Sequence, residues 1–121
     1  MSDPLILIAD DNEPTRQLMA GILGSSGFST IQAIDGGSAL KVLQDHQIAC
    51  AIIDQYMEPM GGFEMAKHLK DNEIVPPPMV LATAHETSDL LVQANDLGFA
   101  QVLKKPVAPN RLLMTVERLV K

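Results

Sequence analysis

Carboxylates, a hydroxyl and an ammonium group recur at matching places along this chain. Asp10 and Asp11 follow the apolar run Leu5–Ala9. Asp54 ends Cys50-Ala51-Ile52-Ile53, Thr83 ends Met79–Ala82, and Lys105-Pro106 follows Ala100–Leu103. Each run has the length and unbroken apolar character of a strand buried on both faces, so these polar groups stand where strands reach the surface. Carboxylates converging without a partner repel one another, and their pKa values rise. A divalent cation resolves that conflict. Mg²⁺ takes a few carboxylates, several waters and a phosphate oxygen in preference to an all-protein cage. Asp10, Asp11 and Asp54 suit such a site. A carboxylate is also able to act as a covalent nucleophile and form an acyl phosphate. Lys105, Thr83 and the metal would then stabilise the charge on the transferring phosphoryl group.

The elements that must position these residues alternate between strand and helix. Leu5–Ala9 reads as the first strand, and Pro14 marks a helix start, followed by Leu18, Met19, Ile22 and Leu23 at helical spacing. Gly24 to Gly27 ends that helix. Strands are expected over Phe28–Ala33, Ile48–Asp54, Met79–Thr83 and Ala100–Lys104. Helices are expected over Ser38–Asp45, Gly61–Asp71, Thr87–Leu97 and Pro109–Val120. Pro76-Pro77-Pro78 is a rigid connector that fits neither a helix interior nor a central strand. Strand–helix pairs in succession imply a parallel sheet with helices on both faces. Ligands in such folds bind beyond the carboxyl ends of the strands, where strand order reverses. The second strand ends in nothing comparable, which suits an edge.

Composition narrows the function classes. The chain has 121 residues, the size of one domain, with 46% hydrophobic and 3% aromatic residues, so its core is aliphatic and filled by methionine. A net charge of −6 without a basic cluster argues against direct binding to nucleic acid or to an anionic membrane. No apolar stretch approaches the roughly 20 residues of a membrane span, and Asp3 stands where a secretory signal carries basic residues. Cys50 is the sole cysteine, read as a buried small hydrophobe, and a reducing cytoplasm is the expected setting. Simpler readings exist for each candidate alone. Asp10-Asp11 is able to cap a helix, Asp54 to cap the segment after it, Thr83 to be a strand-end hydroxyl, and Lys105 a surface lysine. Gly21, Gly24 and Gly27 lack the spacing of a phosphate loop and read as a helix end. His46 and His68 lack metal-ligand spacing, and Met57 and Met60 are too soft for a hard cation.

Together and in order, Asp10-Asp11, Asp54 with Met57, Met60 and Gly62, Thr83-Ala84, and Lys105-Pro106 resemble the receiver domain of the two-component response regulator family, over essentially the whole chain. The resemblance implies a flavodoxin-like doubly wound α/β fold: a five-stranded parallel sheet in the order 2-1-3-4-5 with five helices. It makes Asp54 the phospho-acceptor, Asp11 the direct Mg²⁺ ligand, and Asp10 a ligand acting partly through water. The backbone carbonyl of Tyr56 completes the metal's protein ligands. Lys105, which directly precedes proline, would pair with phosphoryl oxygens in preference to its neighbour Lys104. The Thr83 hydroxyl and the Ala84 N–H would bind them too. The Lys105-Pro106 bond is expected to be cis.

Several positions depart from the family pattern. Glu58 stands four residues after the acceptor, where proline is usual, and Pro59 follows; Gly61 stands where an acidic residue is common. Bulky Tyr56 and His85 occupy the positions that tune phosphoryl lifetime, which implies slow loss. Val102 replaces the aromatic residue whose ring reports activation. The expected function is a signalling receiver, not a turnover enzyme. It takes a phosphoryl group from a sensor histidine kinase or histidine phosphotransfer protein and catalyses only its own phosphorylation and dephosphorylation. A homodimer through the fourth and fifth helices is compatible with this. The alternatives are a phosphate-independent interaction module and, more remotely, a phosphatase resembling the haloacid dehalogenases. The latter places its two aspartates, two residues apart, after the first strand, unlike the adjacent pair here.

Overall fold

Leu5–Ala9, Cys50–Asp54 and Met79–Thr83 carry so few polar side chains that, as strands, they fit only where both faces are covered. In the computed structural model, which describes residues 3–120, they lie at the centre of a parallel sheet. The strands are β1 (Leu5–Ala9), β2 (Ser29–Ala33), β3 (Cys50–Asp54), β4 (Met79–Thr83) and β5 (Gln101–Lys104). Their order is β2-β1-β3-β4-β5, as the resemblance implies. The helices are α1 (Glu13–Gly24), α2 (Gly36–Asp45), α3 (Gly62–Asp71), α4 (Ser88–Asp96) and α5 (Pro109–Val120).

Alternation along each strand divides the core into two layers. Leu7, Ala9, Ile53 and Leu81 face Met65 and Leu69 of α3 and Leu90 and Ala94 of α4. Ile6, Ile8, Ile52 and Val80 face Met19 and Leu23 of α1 and Leu112 and Val116 of α5. Cys50 lies in the second layer, fully buried and unpaired, and burial pushes its thiol up to about 11. With few aromatic rings to fill space, Met19, Met65 and Met79 serve as large core residues. Among the described residues, no helix is long and apolar enough to cross a membrane.

Caps and local hydrogen bonds move several element ends. The second helix starts at Gly36 instead of Ser38, because Asp35 is its N-cap: Asp35 Oδ1 accepts the Ser38 N–H at 2.8 Å, and the Asp35 N–H reaches back to Ser38 Oγ at 3.2 Å. Asn12 caps α1 by accepting the Thr15 N–H at 2.9 Å, so α1 begins at Glu13, one residue before Pro14. Gly61 and Thr87 stand just outside α3 and α4 as N-caps, and Leu97 closes α4. His46 is the C-cap of α2, not part of the helix. The second, third and fifth strands start later than expected, at Ser29, Cys50 and Gln101. Gly27 and Gly98 turn the chain after α1 and α4 with φ of 93° each, a left-handed conformation that suits glycine.

Candidate functional site

Parallel register carries the chemistry to the carboxyl ends of the central strands. Ala9 pairs with Ile53, so Asp10 and Asp54 emerge side by side where strand order reverses. Asp54 pairs with Ala82, which puts Thr83 next, and Thr83 pairs with Lys104. Lys105, whose backbone N–H donates to the Thr83 carbonyl at 2.8 Å, then turns inward while Lys104 stays exposed. The Lys105-Pro106 bond is cis, as expected, and Glu58-Pro59 is cis as well.

Asp10 is fully buried, yet both its carboxylate oxygens are satisfied. Oδ1 accepts the Asn12 N–H at 2.9 Å, and Oδ2 accepts Lys105 Nζ at 2.7 Å. Arg16 donates to the Asp10 carbonyl at 2.8 Å and to Gln32 Oε1 at 3.1 Å, tying α1 to the ends of β1 and β2. Asp54 is nearly buried, with Oδ1 3.1 Å from the same ammonium. Asp11 is exposed. Asp10, Asp11 and Asp54 can each offer an oxygen such that all lie within 4.8 Å of one another. A single lysine therefore faces an excess of negative charge. Burial first, and then the charge of Asp10, raise the Asp54 pKa above the usual carboxylate range; Lys105 only partly offsets this. Burial pulls the Lys105 pKa down, but its hydrogen bonds to Asp10 and Asp54 outweigh that and leave it raised.

Thr83 is buried, and its hydroxyl is already engaged. It donates to Gln55 Oε1 at 2.6 Å and accepts the His85 N–H at 3.1 Å. Gln55, the residue after Asp54, belongs to none of the sequence motifs and enters the site only through this contact. Ala84 and His85 follow Thr83 on the exposed loop into α4. The Tyr56 side chain is 65% exposed and meets the His85 ring edge-on, centroids 6.5 Å apart. Val102 is half-buried, opposite Leu81, among the side chains on the α3 and α4 side.

The loop from Gln55 to Gly61 is held by backbone contacts. Gly62 donates to the Gln55 carbonyl at 3.0 Å, and Gly36 at the start of α2 donates to the Met60 carbonyl at 2.8 Å. A Cβ on Gly62 would lie 2.6 Å from the Asp54 carbonyl oxygen, so glycine there lets the loop close against the end of β3. Met57 is buried beneath the loop. Glu64 Oε1 accepts the Gly61 N–H at 3.1 Å, a cap on α3 that needs no acidic residue at position 61 itself.

Comparison with known proteins agrees with this fold. A family model described as "Response regulator receiver domain" matches residues 6–117. The phosphate regulon transcriptional regulatory protein PhoB of Pseudomonas aeruginosa is 27% identical over 117 residues, covering 96% of this chain and 51% of that protein. The transcriptional regulatory protein SrrA of Staphylococcus aureus is 27% identical over 116 residues, covering 96% of this chain and 47% of that protein. The chain thus spans about half the length of these curated relatives. Among solved structures, chemotaxis protein CheY4 of Vibrio cholerae superposes with a TM-score of 0.90 at 27% identity, covering 98% of this chain and 99% of that one.

Proposed function

This chain belongs to the response regulator receiver family, and on that footing we propose that Asp54 accepts a phosphoryl group from the phosphohistidine of a sensor histidine kinase or a histidine phosphotransfer protein. The observation that carries this reading is the convergence of Asp10, Asp11 and Asp54 within 4.8 Å, with Lys105 Nζ 3.1 Å from Asp54, at the strand-order reversal. An all-oxygen, multiply anionic donor set fits Mg²⁺. Asp10, Asp11, Asp54 and the backbone carbonyl of Tyr56 would hold it. When bound, Mg²⁺ supplies charge neutralisation for the carboxylates and the transferring phosphoryl oxygens.

The chain's own groups do the rest. An Asp54 carboxylate oxygen attacks phosphorus, the bond to the donor imidazole nitrogen breaks, and the electron pair leaves with that nitrogen. Lys105 holds Asp54 in place beforehand and pairs with phosphoryl oxygens afterwards. The Thr83 hydroxyl and the Ala84 N–H take up the remaining oxygens. Tyr56 and His85, which follow Asp54 and Thr83 by two residues each and meet edge-on, impede the approach of water and lengthen the phosphoryl lifetime. Phosphorylation then shifts the population between two conformations that control an output. The domain turns over no separate substrate; it acts as a cytoplasmic switch.

Intact-protein mass after incubation with Mg²⁺ and acetyl phosphate tests the reading. One added phosphate is expected, absent with Asp54→Asn and with EDTA, and lost faster when Tyr56 and His85 are both changed to alanine. No addition to folded, Mg²⁺-binding protein, with a phosphohistidine donor also tried, would favour a phosphate-independent interaction module.

A further inference from the structure

Thr83 and Gln55 present a conflict over a single proton. A threonine hydroxyl has one hydrogen to donate. Here it goes to Gln55 Oε1 at 2.6 Å, a short contact for this type of bond, while the oxygen accepts from the His85 N–H. Thr83 is only 1% exposed, so water offers no ready substitute. A phosphoryl oxygen on Asp54 would need that same proton. We propose that Gln55 is a positioning residue that holds the Thr83 hydroxyl off the phosphoryl site, and that phosphorylation of Asp54 displaces it. The inference rests on the receiver reading above and adds a competitor to it.

The backbone around Gln55 confines the competition to its side chain. The Gln55 N–H donates to the Ala82 carbonyl at 3.0 Å, and its carbonyl accepts from Gly62 at 3.0 Å. These bonds fix the main chain between β4 and α3. The half-exposed side chain can exchange Thr83 for water by rotating. Both partners sit at the ends of neighbouring strands, so the exchange needs no strand to move. It also supplies a conformational reporter at the site of a chain that carries Val102 where a ring would swing. The displaced amide lies one residue from Tyr56, at the surface.

The test is a double-mutant cycle read by calorimetric titration of the Mg²⁺-saturated protein with beryllofluoride, a phosphoryl mimic. Gln55→Met keeps length and volume but offers no comparable acceptor. It should bind beryllofluoride about fivefold more tightly than wild type, the fold-change of one net hydrogen bond. In a Thr83→Val background the same substitution should leave affinity unchanged. In wild-type protein, the Gln55 side-chain amide resonances should shift on adding beryllofluoride, and this readout does not depend on any variant folding. Unchanged or weaker binding by Gln55→Met, or unmoved Gln55 resonances, with wild type binding normally, overturns the inference and leaves the receiver reading standing. Failure of wild type to bind the mimic overturns both.

Discussion

Asp54, the proposed phospho-acceptor, is kept in surroundings that oppose its own charge. Its raised pKa means that the folded protein holds a proton there more tightly than the unfolded chain does. The sign follows: the stability associated with Asp54 declines as pH rises from the ordinary value of 3.8 through the raised value, and the full penalty is present above it. Asp54→Asn should therefore stabilise the metal-free protein at neutral pH by on the order of 1 kcal/mol, a rise in melting temperature of about 4 °C. Mg²⁺ should then stabilise the variant less than it does wild type. Thermal melts in EDTA and in Mg²⁺ check this, and a variant less stable than wild type in EDTA contradicts it. The convergence of Asp10, Asp11, Asp54 and Lys105 was legible because strand ends of a parallel sheet fix where the next side chains emerge. The Gln55–Thr83 contact was not, because it depends on which rotamer a long amide adopts across two strands.

At the level of elements, the apolar runs announced their strands, and the uncertainty lay at the ends. The helix over Gly36–Asp45 begins two residues before its hydrophobic pattern suggests, since Asp35 and Ser38 close a reciprocal cap that lets Gly36 and Gly37 enter the first turn. Periodicity does not register such caps; a side chain accepting a backbone N–H does. The strand at Cys50–Asp54 starts late for a related reason. Ile48 is buried and the Ala49 N–H bonds to Leu5, so the preceding residues have strand-like character without belonging to the ladder. The cap makes a pH-dependent prediction. Hydrogen bonds from the Ser38 backbone and side chain hold the Asp35 carboxyl below its ordinary value. Its stabilisation is thus complete above the usual carboxylate pKa and is lost as pH falls through the depressed one. Asp35→Ala should cost about 1 kcal/mol at pH 7, with the gap to wild type narrowing in strong acid and Asp35→Asn retaining most of the cap. Urea melts across pH measure it; a gap independent of pH would show that the carboxylate charge contributes nothing. The helix start also matters to the site, since Gly36 donates to Met60 of the loop that follows Asp54.

Across the whole molecule, the question is how an event at the carboxyl ends of the central strands reaches a surface. The strand order came from the family resemblance and not from composition, since hydrophobic runs alone do not say which strand lies beside which. Once that order is set, the loops tied to the site are defined. The segment 55–61 is held by Gly62 and Gly36, and the segment leading into α4 is held by the His85 N–H on Thr83. α4, which the second loop leads into, exposes Leu91 and Val92. β5 lacks the usual lever, because Val102 is a short branched side chain packed near Leu81 with no ring to rotate. Beryllofluoride with Mg²⁺ should therefore change backbone hydrogen exchange at Gly36, over 55–61 and over 84–90, while β5 keeps its protection. A change in β5 as large as in the loops would mean that the strand carries the signal without an aromatic side chain. A change confined to the loops would mean that the signal leaves through the segments on either side of Asp54, with the start of α4 as the element that any partner, including a second copy of this chain, would read.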